Sequence, residues 1–429
     1  RLIMKKTIRG IAALLIAVVL LTMCGMTAFA EEKVTLTFWT SYNEADETSI
    51  SAAWIKEAIA KFEETHPNVK IEVINTADGD DYLTKVTAEL ASGNVPDLFR
   101  TWLTGRLQPF VEAGYVYPMN ELVANSEVLS KTVSDTSKAY SSYGDDTFYA
   151  IPLIASAEII FYNKTIFEEC GVTVPTTEDE FYAACEAIKA KGYTPIAMGG
   201  GDAWFSAIPF MTLFQRIDEN DEMYNSVCLN KECKFDDEIF TKTSEAYLKM
   251  AQYFNDNAAS TSCGEAEAMF QNGKAAMIFD GTWSTATFAN TMGETAGCFN
   301  YPAADGASSE FLMNYDEGYS IGAKTEHPEL CIEFYEIMFG QEMQAKYAEA
   351  GNLIACQGIE YDTSKVPTLT NEVAALLATA ATSNIPWDNP LGTNMGTEFN
   401  MTVQSVLGGA DPATAFKTLN ETAAFEWDY

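Results

Sequence analysis

Histidine is almost missing: His66 and His327 are the only two in 429 residues. Histidine-based catalysis and a histidine-built zinc site are therefore disfavoured, and no metal or cofactor is expected. Basic residues are also scarce, with 26 Lys and Arg against 61 Asp and Glu and a net charge of −35. That balance argues against nucleic acid and anionic membrane surfaces as partners. It names no ligand, because excess acid is most often a solubilising surface. There is no CxxC pair, so the usual redox and zinc motifs have nothing to rest on. Low-complexity linkers and internal repeats are lacking too.

Residues 1–30 read as an export signal. Lys5, Lys6 and Arg9 precede an apolar run, Ile11 to Met23, too short for a comfortable transmembrane helix. Two processing sites compete. Ala28-Phe29-Ala30 is a small-x-small cleavage site, whereas Leu21-Thr22-Met23-Cys24 resembles a lipoprotein box that would lipidate Cys24. Either way the chain is expected outside the membrane. Eight cysteines remain beyond Cys24. Cys185 and Cys331 fall at apolar helical positions and read as buried, while Cys228 and Cys233 are the best disulfide candidates.

A chain of 429 residues is too long for one ordinary core, so two lobes are expected. VTLTFWT (34–40), VKIEVIN (69–75) and VPDLF (95–99) read as strands. Amphipathic helices over 51–65 and 81–93 separate them. This rhythm predicts a mostly parallel sheet. It restarts with a helix over 175–192, opened by a Thr177–Glu180 capping box, and a strand at 194–200. A strand over 318–324, a helix from Pro328 to Met338 and a last helix behind Asp411-Pro412 complete the outline. FQNGKAAMIFDGTW (270–283) delivers Trp283 to the end of a strand, where open α/β sheets bind ligands.

The segments TLTFWTS, HPNVKIEVIN, ELASGNVPDLF, IPLIASAEIIFYNKTIF, PTTEDEF, FQNGKAAMIFDGTW and GYSIGAKTEHPE occur in one order over residues 34–425. That order resembles the extracellular solute-binding proteins of carbohydrate ABC importers, the family that includes maltose-binding protein. The resemblance implies an α/β, two-lobe periplasmic-binding-protein type II fold with a multi-strand hinge and a ligand cleft between the lobes. It places the N-lobe at 34–153 plus 319–350 and the C-lobe at 154–317 plus 351–429. The chain would cross near 151–154, 316–319 and 351.

The resemblance also carries candidate contacts. Ser41, Asn43 and Glu44 follow the first strand, although maltose-binding protein has Asp-Lys where Asn43–Glu44 stand, and Ser41 and Asn43 equally suit a helix cap. Trp102 and Thr104 follow the third strand. Nearby Arg106 reads as solvated or ion-paired. Asp202 and Trp204 come from GGGDAWF, whose glycines would let backbone approach a ligand. Asp280 and Trp283 end the strand described above, with Asp280 equally suited to cap the next helix. Asp316 and Tyr319 lie at the return crossing, and Trp387 and Asp388 in a C-terminal loop. Aromatic rings bury the apolar face of a sugar, and carboxylates accept its hydroxyl protons. The expectation is a monomer that binds a neutral oligosaccharide, hands it to ABC permease subunits and catalyses nothing. A secreted glycoside hydrolase, with two opposed carboxylates, or a binder of a non-sugar solute are the alternatives.

Overall fold

The computed structural model describes residues 33–43, 49–75, 80–144, 146–315 and 317–427. The fold opens with β1 (Val34–Thr40), whose alternation sends Phe38 and Trp39 to opposite faces of a sheet and into separate apolar cores. Ser49 caps α1 (Ile50–Thr65) by accepting from the Ala52 N–H, and Trp54, Ile55, Ala58, Ile59 and Phe62 form its buried stripe. β2 (Val69–Asn75) pairs in parallel along all of β1. α2 (Asp80–Ala91) leads to β3 (Leu98–Trp102), and β4 (Ile151–Pro152) closes this stretch.

A second sheet begins with β5 (Ser156–Asn163), followed by α3 (Glu178–Ala190), β6 (Thr194–Ala197), α4 (Ala203–Ile217), α5 (Glu238–Ala251), α6 (Cys263–Gln271) and β7 (Ala275–Gly281). Then come α7 (Thr285–Met292), β8 (Ala296–Phe299) and β9 (Glu310–Asn314). β10 (Glu317–Ile321), α8 (Pro328–Met338) and α9 (Gln341–Glu349) return to the first lobe. α10 (Thr368–Leu377), β11 (Thr382–Asn384), α11 (Thr393–Leu407) and α12 (Pro412–Glu426) finish the second.

The first sheet runs β2–β1–β3–β10–β4 and the second β11–β9–β5–β7–β6, with β8 also paired to β5. The mostly parallel expectation holds for β1 to β3 and for the β6–β7 and β9–β11 pairs, and fails for the remaining pairs. β10 lies antiparallel to both β3 and β4, and β5 is antiparallel to β7, β8 and β9. β10 arrives directly from the other lobe instead of through a helical crossover, so it enters the sheet from the opposite end. The second lobe has one large core, in which Phe161, Phe210, Ile278, Phe399 and Phe416 meet.

Among the described residues three segments join the lobes side by side. Leu153 donates its N–H to the Glu317 carbonyl at 2.8 Å, Ala155 to Leu353 at 3.0 Å, and Ala355 back to Leu153 at 3.0 Å. Ile154 and Ile354 form an antiparallel bridge. The expected Cys228–Cys233 disulfide is not formed. Cys228 is buried in the second core, Cys233 is half-buried beyond the turn, and both thiols are free. Cys185 and Cys331 are buried as expected.

Candidate functional site

β7 ends at Gly281 and breaks into a single 3-10 turn, Thr282–Ser284. Trp283 folds back across the strand end, so that a Cβ on Gly281 would meet its ring carbons at 2.2 Å. Only glycine leaves room for that ring. Trp204, in the first turn of α4, meets Trp283 edge-on with centroids 6.0 Å apart. Both rings are half-buried and line a cleft between the lobes. Asp202 stands at the N-cap of α4, yet its carboxylate does not cap that helix. It accepts the Cys263 N–H at the start of α6, at 2.6 Å. α6 is held by a full capping box, Ser262 with Glu265, and one turn on it presents Glu267 to the same cleft. Burial lifts the Glu267 carboxyl to about 7.

The opposite wall belongs to the first lobe. Arg100 on β3 donates to Glu317 on β10 at 2.9 Å, with both side chains buried. The Tyr42 hydroxyl reaches both Glu317 oxygens, at 2.8 and 3.0 Å. The Arg100 guanidinium also lies 4.6 Å from the centre of the Trp102 ring. Tyr42, Arg100, Trp102 and Glu317 all line the cleft, whose volume is about 630 Å³. That is ample for a small-molecule ligand. Among the described residues no group of three or more His, Cys, Asp or Glu side chains is placed to hold a metal ion.

Of the residues singled out from the sequence, the structure gathers Trp102, Asp202, Trp204, Trp283 and Asp388 on the cleft. Glu44 and Asp316 lie outside the described residues. Several others sit elsewhere. Asp280 is wholly buried behind the wall, where burial and the neighbouring Glu267 carboxyl push its carboxyl well above the usual carboxylate range; its Oδ1 accepts the Gly281 N–H at 2.7 Å. Tyr319 faces the core of the first lobe, against Phe38 and Phe339. Trp387 stacks on Phe399 in the second core, 2% exposed. Thr104 holds the turn after β3 with φ 55°, its carbonyl taken by the Tyr143 hydroxyl. Ser41 is buried at the end of β1, and exposed Asn43 accepts from Asn75 at 3.4 Å. Neither caps α1. The glycines of GGGDAWF serve packing against the chain itself: a Cβ on Gly199 would meet the Cys263 Cα at 2.6 Å. Arg106 is ion-paired, to Asp388 at 2.7 Å. Arg100, Glu267 and Glu317 were not singled out as contacts, whereas Tyr42 belongs to the same expected contact loop as Ser41, Asn43 and Glu44 and is its one described member on the cleft. Glu317 stands one residue from Asp316, and Arg100 directly follows VPDLF.

A multiple sugar-binding protein of Streptococcus mutans is 27% identical over 345 residues, covering 77% of each chain. A structure described under xylan utilization by Caldanaerobius polysaccharolyticus superposes with a TM-score of 0.81 at 25% identity, covering 91% of this chain and all of that one. A chitin oligosaccharide binding protein shares the fold, with a TM-score of 0.82 at 22% identity and coverage of 91% and 98%. Residues 44–345, well over half of the chain, match the bacterial extracellular solute-binding proteins, and the chain belongs to that family.

Proposed function

We propose that this protein binds a neutral oligosaccharide between its lobes, outside the membrane, and delivers it to the permease subunits of an ABC importer without chemical change. The observation that carries this reading is the asymmetry of one cleft. Its second-lobe wall offers the Trp204–Trp283 pair, and its first-lobe wall offers the Tyr42–Glu317–Arg100 array. Sugar rings have an apolar face and a rim of hydroxyls, and the two walls suit one each. Both cationic side chains on the cleft, Arg100 and Arg106, are already paired with carboxylates, so an anionic ligand finds no free cationic cluster. The relative from Streptococcus mutans is named for binding multiple sugars, which supports the same class.

In this reading Trp102, Asp202, Trp204 and Trp283 touch the ligand, with Tyr42, Arg100, Glu267 and Glu317 beside them. The first lobe comprises 34–153 with 317–350, since β10 belongs to its sheet, the second 154–315 with 351–427, and the protein acts as a monomer. Cys24 as a lipid anchor remains the alternative to cleavage after Ala30; both lie outside the described residues. Calorimetry against neutral oligosaccharides and their component monosaccharides tests the proposal. Binding of oligomers with no release of reducing ends is expected. Tight binding of a monosaccharide with none of its oligomers would overturn the ligand class, and release of reducing ends would replace binding by hydrolysis.

A further inference from the structure

At one end of the cleft the lobes meet directly. The turn after β3 sets Gly105 against the backbone of the 389–392 loop. A Cβ on Gly105 would meet the Asn389 oxygen at 2.5 Å, the Pro390 oxygen at 2.8 Å and the Gly392 nitrogen at 3.0 Å. Beside this contact Arg106 Nη2 donates to Asp388 Oδ2 at 2.7 Å, with the two side chains 7% and 12% exposed. Each partner is seated in its own lobe. The Arg106 guanidinium lies 5.6 Å from the centre of the Trp102 ring, and the adjoining Leu107 is buried in the first lobe. The same Asp388 oxygen accepts from Asn400 of α11 at 3.1 Å, and the Pro390 carbonyl accepts from Lys231. The adjoining Trp387 is buried in the second lobe. The pair therefore ties two separately built surfaces across the cleft.

Rotation about the three joining segments would part these surfaces and return both charges to water. In the arrangement seen here each charge is buried and each is paired with the other. Removing one partner then leaves an uncompensated buried charge in the closed form and costs the open form little.

We propose that Arg106 and Asp388 are positioning residues that latch the lobes together, so that the closed arrangement is populated before any ligand arrives. This goes beyond the sugar reading and does not depend on which solute binds. Small-angle X-ray scattering of the ligand-free protein tests it, with thermal melting as the check on folding. A compact chain of this size has a radius of gyration of roughly 22 Å. Arg106→Ala and Asp388→Ala are expected to increase the measured radius by on the order of 1 Å, an opening of the lobes. The double variant should open no further than either single one, because the pair acts as a unit. Arg106→Lys, which keeps the charge, should stay near the wild-type radius. If an alanine variant fails to fold, Asp388→Asn removes the charge at nearly constant shape and should open the lobes in the same way. Radii equal to wild type in the folded charge-removing variants would overturn the proposal, as would additive shifts in the double variant.

Discussion

Trp283 holds its place because Gly281 has no side chain, and that dependence separates binding from stability at this position. The ring is half-buried and packs against residues of both lobes. Truncating an aromatic anchor typically costs on the order of 2–4 kcal/mol of binding. Trp283→Ala is therefore expected to weaken oligosaccharide affinity roughly 30- to 1000-fold, with little change in melting temperature. A core tryptophan would behave in the opposite way, losing stability and keeping affinity in the folded fraction, so titration and melting of one variant decide. Glu267 gives a pH signature. Its folded value of about 7 lies above its ordinary value of 4.5 because burial disfavours the charge. A raised acid contributes stability that is fully present below 4.5 and lost as pH climbs through about 7. Buried Asp280 shifts the same way. Melting temperatures of wild type and Glu267→Gln followed across that window should converge at low pH and diverge as pH rises, with the glutamine variant the more stable at the upper end.

At the scale of single elements, α6 shows how local sequence sets up the site. Its capping box aims the Cys263 N–H at Asp202 and Glu267 at the cleft. Ser262→Ala should cost about 1 kcal/mol, read as a lower denaturant midpoint at unchanged slope. An unchanged midpoint would mean that Glu265 alone suffices. β1, β2 and α8 begin and end where hydrophobic period and helix signals put them. β3 was expected at 95–99 but forms at 98–102. Pro96 has no N–H to give a ladder, and Asp97 spends its carboxylate on the Thr37 N–H and hydroxyl and on Thr325. Pairing therefore starts at Leu98, and the shift draws Arg100 and Trp102 into the strand. The Thr177–Glu180 box is half formed: Thr177 caps the Glu180 N–H, while Glu180 turns back to Thr176. Trp387 and Tyr319 carried no local sign of burial. Their partners, Phe399 for one and Phe38 for the other, are chosen by tertiary packing that one-dimensional periodicity does not encode. Arg100 and Glu317 were equally hidden, being 217 residues apart in sequence and adjacent only once β10 pairs with β3.

The whole molecule depends on that same late strand. β10 lies between β3 and β4 and bonds to both. A chain ending at Asn314 would contain β1 to β4 and still lack the strand that joins β4 to the rest of its sheet. Such a truncation should show no cooperative melting of the first lobe and should be cut by protease throughout 34–152, whereas the full chain resists. A protected fragment from that region would show that β1 to β3 suffice alone. Completing a sheet across so long a loop carries a large closure entropy before any contact repays it, and folding dominated by such contacts is slow. During synthesis neither lobe can be finished until nearly the whole polypeptide exists, because the second lobe also awaits α11 and α12. For a member of an extracellular family this delay has a use. A chain that cannot knot itself into a finished domain early stays threadable, and an extended thread is the form in which a polypeptide passes through a narrow membrane pore.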